Sequence, residues 1–152
     1  MNKRASFKMG LWALLTFFVS LGCSKDDDIS YDLVGSWKVT YYITAGDLSI
    51  TKEQNPTWPE VNGGEITATF GEPGDGGEGI LSGFTVSNSY TGSYTAKKNG
   101  ELSIGPVATT LINEPEWTSL YNISAAQEYE VKGDELFIYY NDRTDAIVFE
   151  RN

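Results

Sequence analysis

The sequence predicts a mainly β fold, a single small antiparallel barrel-like sheet of about eight strands with one helix before the last three. Three observations lead there. The 152 residues hold four Trp, nine Tyr and seven Phe beside sixteen Gly; aromatic residues suit a pleated, half-buried surface and Gly suits its turns. From Tyr31 onward, apolar and polar residues alternate at period two in run after run. Between the runs stand turn signals, Lys97-Lys98-Asn99-Gly100 being the best of them.

The first strand is expected in residues 33–43, with Trp37, Val39 and Tyr41 on one face. Asn55-Pro56-Thr57-Trp58-Pro59 then reads as a loop, because Pro at both ends opposes a strand. Residues 65–70 alternate with Ile66, Ala68 and Phe70 inward. Residues 71–79 form an acidic Gly-rich loop. Its Asp75 and Glu78 offer oxygen ligands but lack the EF-hand spacing, so the loop is read as a solvated turn and no metal site is expected. Residues 80–86 and 89–96 are the next strands, joined near Asn88, and Leu102 and Ile104 share a face of the strand in residues 101–107.

The period then changes. Asn113-Glu114-Pro115-Glu116 has the form of a capped helix start, with Trp117, Leu120, Tyr121 and Ser124 to follow on one face, predicting a helix over 114–126. Plain core packing accounts for Trp117 and Tyr121. Three strands close the chain, carrying Tyr129 and Val131, then Leu136, Ile138 and Tyr140, then Ile147 and Phe149.

Composition excludes several functions. The chain has no His and one Cys. Ser-His-Asp and Cys-His catalysis, His/Cys zinc sites and an internal disulfide are therefore closed to it. The net charge is −10, although the basic start holds Lys3, Arg4 and Lys8, three of the eleven Lys and Arg. So acidic a remainder offers nothing to nucleic acid, whose binders need clustered cations. Paired carboxylates could serve a glycosidase, but no pattern marks two of them as acid and base. No catalytic residue and no cofactor are expected.

The N-terminus reads as an address. A basic start precedes residues 9–21 (MGLWALLTFFVSL), an uncharged and mostly apolar run. It is short of the roughly 20 apolar residues that span a bilayer, and it fits a secretory signal. Ser20-Leu21-Gly22-Cys23 resembles a lipobox, with Ser20 where the common pattern has Leu or Val. Residues 1–22 are thus expected to be a lipoprotein signal peptide, with Cys23 lipidated as by palmitate. Ser24, Lys25, Asp26, Asp27 and Asp28 resemble the export signal of surface-exposed lipoproteins of Bacteroidota. Residues 23–31 would be the lipidated Cys and its acidic tether, and 32–152 the β domain. The expected location is the outer membrane, lipid-anchored and surface-exposed, with the membrane as partner through Cys23. An envelope partner or a small apolar ligand would complete the list. Trp58, in its Pro-bounded loop, is the candidate contact for such a ligand or partner, or the lid over the core.

Residues 83–94 (GFTVSNSYTGSY), Leu102-Ser103-Ile104, Thr109-Thr110, a helix, Tyr129 and a final hairpin resemble the META domain family of heat-shock-inducible bacterial envelope proteins. Asn88, Gly92, Tyr94, Leu102 and Ile104 match that pattern. The resemblance implies a stress-linked envelope role without a known active site. Gly35-Ser36-Trp37 is similar to the Gly-x-Trp opening of lipocalins, which would imply a carrier with an apolar ligand in the barrel mouth. Both resemblances imply a small antiparallel barrel.

Overall fold

The computed structural model describes residues 31–54 and 61–152. Cys23, the segment 24–28 and Trp58 lie outside the described residues.

A short 3-10 turn, Tyr31–Leu33, leads into β1 (Gly35–Thr44) and β2 (Leu48–Thr51). Then come β3 (Thr67–Phe70), β4 (Glu78–Phe84), β5 (Ser89–Ala96), β6 (Leu102–Ile104) and β7 (Ala108–Thr109). The chain ends in β8 (Glu128–Lys132), β9 (Glu135–Tyr140) and β10 (Asp145–Arg151). Eight strands follow one antiparallel path, β6-β5-β4-β3-β1-β10-β9-β8, with β2 added beside β1 and β7 beside β5. The path curls until its two ends meet: Glu101 bridges Glu128, the Leu102 amide donates to the Gln127 carbonyl at 2.9 Å and the Tyr129 amide to that of Gly100 at 2.7 Å. The result is the expected barrel-like sheet, nearly closed, which leaves few unpaired edges.

Its interior is filled. Trp37, Tyr42, Phe70, Tyr94 and Phe149 are each at most 1% exposed and pack together with Leu33, Ile66, Leu81 and Ile147. Trp37 is tied by its indole N–H to the Leu33 carbonyl at 2.8 Å, and the Arg151 guanidinium lies 4.3 Å from its ring.

Three local expectations change in the structure. In β1 the inward residue after Val39 is Tyr42, and Tyr41 points outward, because a β-bulge shifts the register between Val39 and Tyr41 against β10. One extra residue swaps every later side chain to the other face. In the turn after β5, only Gly100 takes positive φ, at +88°, and its amide bonds the Lys97 carbonyl at 2.9 Å. Asn99 instead accepts the Glu101 amide through its side chain at 3.1 Å, the pattern of a turn closed by a Gly bulge.

The third is the helix. The helical segment before the last three strands is present, but it is made of two 3-10 turns, Glu116–Leu120 and Ile123–Ala125, rather than one helix over 114–126. The first is capped by Pro115 with no side-chain cap bond, so Asn113 does not cap it. The reason is visible in the spacing. Trp117, Leu120, Ile123 and Ala126 recur every third residue, and all four pack on the core. Three residues per turn is the 3-10 repeat. Ser124, expected on the apolar face, is exposed.

Candidate functional site

The tip of the β4–β5 hairpin is built around Asn88, the one buried polar or charged side chain among the described residues, 5% exposed. Its Oδ1 accepts from the Ile112 amide at 2.7 Å and the Thr110 hydroxyl at 2.8 Å. Its Nδ2 donates to the Ile112 carbonyl at 2.8 Å and to Glu114 Oε1 at 2.5 Å. The Thr85 hydroxyl donates to the same Glu114 oxygen, and the Ser87 amide to Glu114 Oε2 at 3.2 Å. The Glu114 carboxylate thereby locks hairpin tip 85–88 to segment 110–114. A buried amide so fully bonded fixes geometry, since each unsatisfied group would cost about 1–3 kcal/mol.

Below the tip, two tyrosines lie across glycines on the facing strand. Tyr90 pairs with Gly83 and Tyr94 with Gly79, and a Cβ on either glycine would collide with the tyrosine ring opposite. Tyr90 donates to the Thr67 carbonyl at 2.8 Å and Tyr94 to that of Gly71 at 2.6 Å. Tyr90 and Tyr121 share a further hydroxyl contact of 2.5 Å. Burial pushes the phenols of Tyr90 and Tyr121 well above the ordinary tyrosine value and that of Tyr94 up to about 12. These hydroxyls are structural donors held neutral.

On this platform sits a groove of about 580 Å³, lined by Glu65, Thr67, Phe84, Thr85, Val86, Ser87, Ser89, Thr110 and Ile112. Phe84 is 62% exposed and Ile112 61%; both flank hydroxyl-bearing residues. Leu111, beside Ile112, is 95% exposed. The groove offers apolar walls and hydroxyls, with Glu65 as its one ionisable lining residue.

The opposite side of the barrel is finished differently. There Phe137 and Tyr139 stack outside the core, 6.0 Å apart. Lys132 lies 4.9 Å from the first ring and Arg143 3.9 Å from the second. Arg143 also pairs with Glu128 at 2.5 Å and Glu130 at 3.4 Å, and Lys132 with Glu130 at 2.9 Å.

The profile of the META domain family matches residues 36–152. The chain belongs to the META domain family. In fold, this META domain is also similar to the crystal structure of a DUF4847 family protein from Bacteroides vulgatus, with a TM-score of 0.58 and 15% identity over 79% of this chain and 94% of that one. At that identity the likeness is one of fold. The barrel is consistent with the lipocalin-like resemblance too, whereas no curated protein matches the chain.

The pattern residues of the META domain fall into structural places: Asn88 in the hairpin lock, Tyr94 across Gly79, and Leu102 buried at 2% exposure where β6 meets β8. Gly92 is packed under Pro106 and Val107, where a Cβ would be 3.1 Å from a carbonyl oxygen. Cys23, residues 24–28 and Trp58, the site residues expected from sequence, lie outside the described residues. Sequence reasoning missed Glu114, read only as part of a helix start, and Phe84. The signal for Phe84 was there: β4 carries Leu81 inward but also Ile80 and Phe84 outward, at 66% and 62% exposure. β4 is thus apolar on its inner face and carries two exposed apolar side chains on its outer one.

Proposed function

We propose that this META domain protein is a lipid-anchored lipoprotein of the outer membrane, surface-exposed, acting as a non-catalytic binding or structural module with a stress-linked role. Cys23 carries the lipid, and Ser24, Lys25, Asp26, Asp27 and Asp28 direct the domain outward. Two or more acyl chains anchor stably, each buried methylene contributing about 0.8 kcal/mol. The observation that supports a module working through its exterior is the filled barrel: Trp37, Tyr42, Phe70, Tyr94 and Phe149 occupy the space a carrier would need for its ligand. That favours a surface module over a lipocalin-like carrier. Membership in a family not known for enzymes, and the absence of His, support the non-catalytic reading.

The test is metabolic labelling of full-length protein with an alkyne fatty acid in a Gram-negative host. Label should enter the wild type and vanish in Cys23→Ala. Protease added to intact cells should digest the wild-type domain, and alanines at 24–28 should protect it while labelling persists. Labelling that survives Cys23→Ala would overturn the anchor. Native mass spectrometry showing a reproducibly bound apolar molecule would favour the carrier.

A further inference from the structure

We infer that Asn99-Gly100, in the turn after β5, is a deamidation site whose product loosens the seam of the barrel. The seam is where β6 meets β8. Glu101 bridges Glu128 there, and the Leu102 amide donates to the Gln127 carbonyl at 2.9 Å. The Tyr129 amide donates to the carbonyl of Gly100 itself at 2.7 Å. Gly100 is thus part of the closure, and Asn99 directly precedes it.

The geometry suits attack of the backbone on the side chain. Asn99 is exposed, and its Oδ1 accepts the Glu101 amide at 3.1 Å. A bond from the amide two residues ahead folds the side chain over its own following backbone and carries Cγ toward the Gly100 nitrogen. Gly100 has no side chain to obstruct that approach, and the fold keeps it so, because a Cβ there would lie 2.9 Å from the Tyr129 carbonyl oxygen. The Gly100 nitrogen bonds to Asn99 Cγ, and the Cγ–Nδ2 bond breaks. Nδ2 departs as ammonia with the proton that the Gly100 nitrogen gives up, leaving a cyclic imide. Water then opens the imide at either carbonyl. One opening gives aspartate; the other gives isoaspartate, whose main chain is longer by one carbon. The Gly100 amide donates to the Lys97 carbonyl at 2.9 Å, so the attack proceeds from the locally opened turn.

The product places charge where the seam is already acidic. Asp32, Glu128 and Glu130 line the depression on one side of Asn99, with Lys98 and Arg143. Glu101, Glu128 and Asp142 line the other. Arg143 is engaged by Glu128 and Glu130, and Lys97 by Glu101. A further carboxylate at position 99 meets mostly like charge, and the added carbon moves Gly100 out of register with Tyr129. Both effects weaken the closure. A second Asn-Gly pair, Asn62-Gly63, lies in the 3-10 turn Val61–Gly64 and makes none of the seam bonds, so it provides a control. Neither step depends on the lipid anchor.

The experiment incubates detergent-purified full-length protein in mildly alkaline buffer, with and without urea. Peptide mapping by mass spectrometry follows conversion of amide to acid, with chromatography separating isoaspartate from aspartate. Native protein should convert at Asn99, more slowly than the urea-held chain. Hydrogen exchange of the Leu102 and Tyr129 amides, read on the separated peptides, should quicken about tenfold in the isoaspartate form, as for the loss of about one hydrogen bond. Asn99→Gln, whose longer side chain closes the ring far more slowly, should stop both changes, and Asn62→Gln should stop neither. Near-UV circular dichroism would verify that each variant starts folded. No conversion at Asn99 in native protein while the urea-held chain converts, seam amides unchanged in the isoaspartate form, or seam amides that quicken equally in Asn99→Gln, would overturn the inference.

Discussion

The two sides of the barrel treat exposed apolar side chains in opposite ways. On the β1–β10–β9–β8 side, Phe137 and Val148 point away from the core, yet they are only 9% and 0% exposed. Lys132 and Arg143 lie over the neighbouring rings with their own acidic partners around them. On the β3–β4–β5 side, Ile80, Phe84 and Ile112 are each more than 60% exposed among hydroxyls. Long basic side chains covering apolar surface with their stems are an ordinary device of solubility. The chain applies it on one side and leaves the other side apolar in the presence of water. Among the described residues, the Phe84 side is thus the one that keeps these apolar side chains exposed.

The sharpest way to break the comparison is to truncate one ring on each side. Phe137→Ala should cost about 3 kcal/mol of unfolding free energy, the scale of a buried Phe. Phe84→Ala should change stability by no more than about 0.5 kcal/mol, as surface substitutions do. Urea unfolding monitored by Trp fluorescence gives both values. Equal costs would mean that Phe84 is already covered and the contrast is false.

Next in size is the lock beneath the open groove. Asn88→Ala removes four hydrogen bonds at a site 5% exposed and leaves Glu114 with less compensation, so a loss of about 2 kcal/mol is expected. Glu114→Gln should cost less, and the double variant less than the sum, because both act on one network. Amide hydrogen exchange should rise first in segments 85–88 and 110–114. Uniform loosening of the barrel would show that Asn88 supports the whole fold instead of this surface.

How much of this was legible beforehand follows from which forces act locally. Strand alternation is a local consequence of burial, so Ile66, Ala68 and Phe70, or Ile147 and Phe149, could be assigned inward from sequence. The β1 bulge was hidden, since nothing in Trp37 to Tyr42 marks Thr40 as the extra residue; its hydroxyl bonds the Val148 carbonyl at 3.1 Å, a contact 108 positions away. The helical segment was legible as a change of period. Its 3-10 form followed from a spacing of three, which Trp117, Leu120, Ile123 and Ala126 display and which a 3.6-residue reading blurs. Asn88 was recognisable as a pattern residue, but its partner Glu114 belongs to a distant segment. The proposed anchor, Cys23 with its tether, was legible only as an address.

The smallest expected effect tests whether the charged cover on the Phe137 side is more than decoration. Asn141, Asp142 and Arg143 take successive positive φ values of 48°, 53° and 66°, a conformation non-glycine residues adopt at some cost. It ends with Arg143 over Tyr139 and beside Glu128 and Glu130. Because Arg143 is half exposed, Arg143→Gln should cost no more than about 1 kcal/mol. The more telling readout is pH. The hydrogen bond from Lys132, aided by its charge and by Tyr139 and Arg143, holds the Glu130 carboxyl below its ordinary value of 4.5. A lowered folded-state value means stability that is present above pH 4.5 and is lost as the pH falls through the folded value. Removing Arg143 takes away part of that depression, so the acid-side loss should be smaller, be complete at a higher pH and become less sensitive to salt. Ile80→Ser on the hydroxyl face should alter neither the acid limb nor the salt response. If both variants moved the acid limb alike, charge would not distinguish the two sides, and the open face would have to be explained by packing alone.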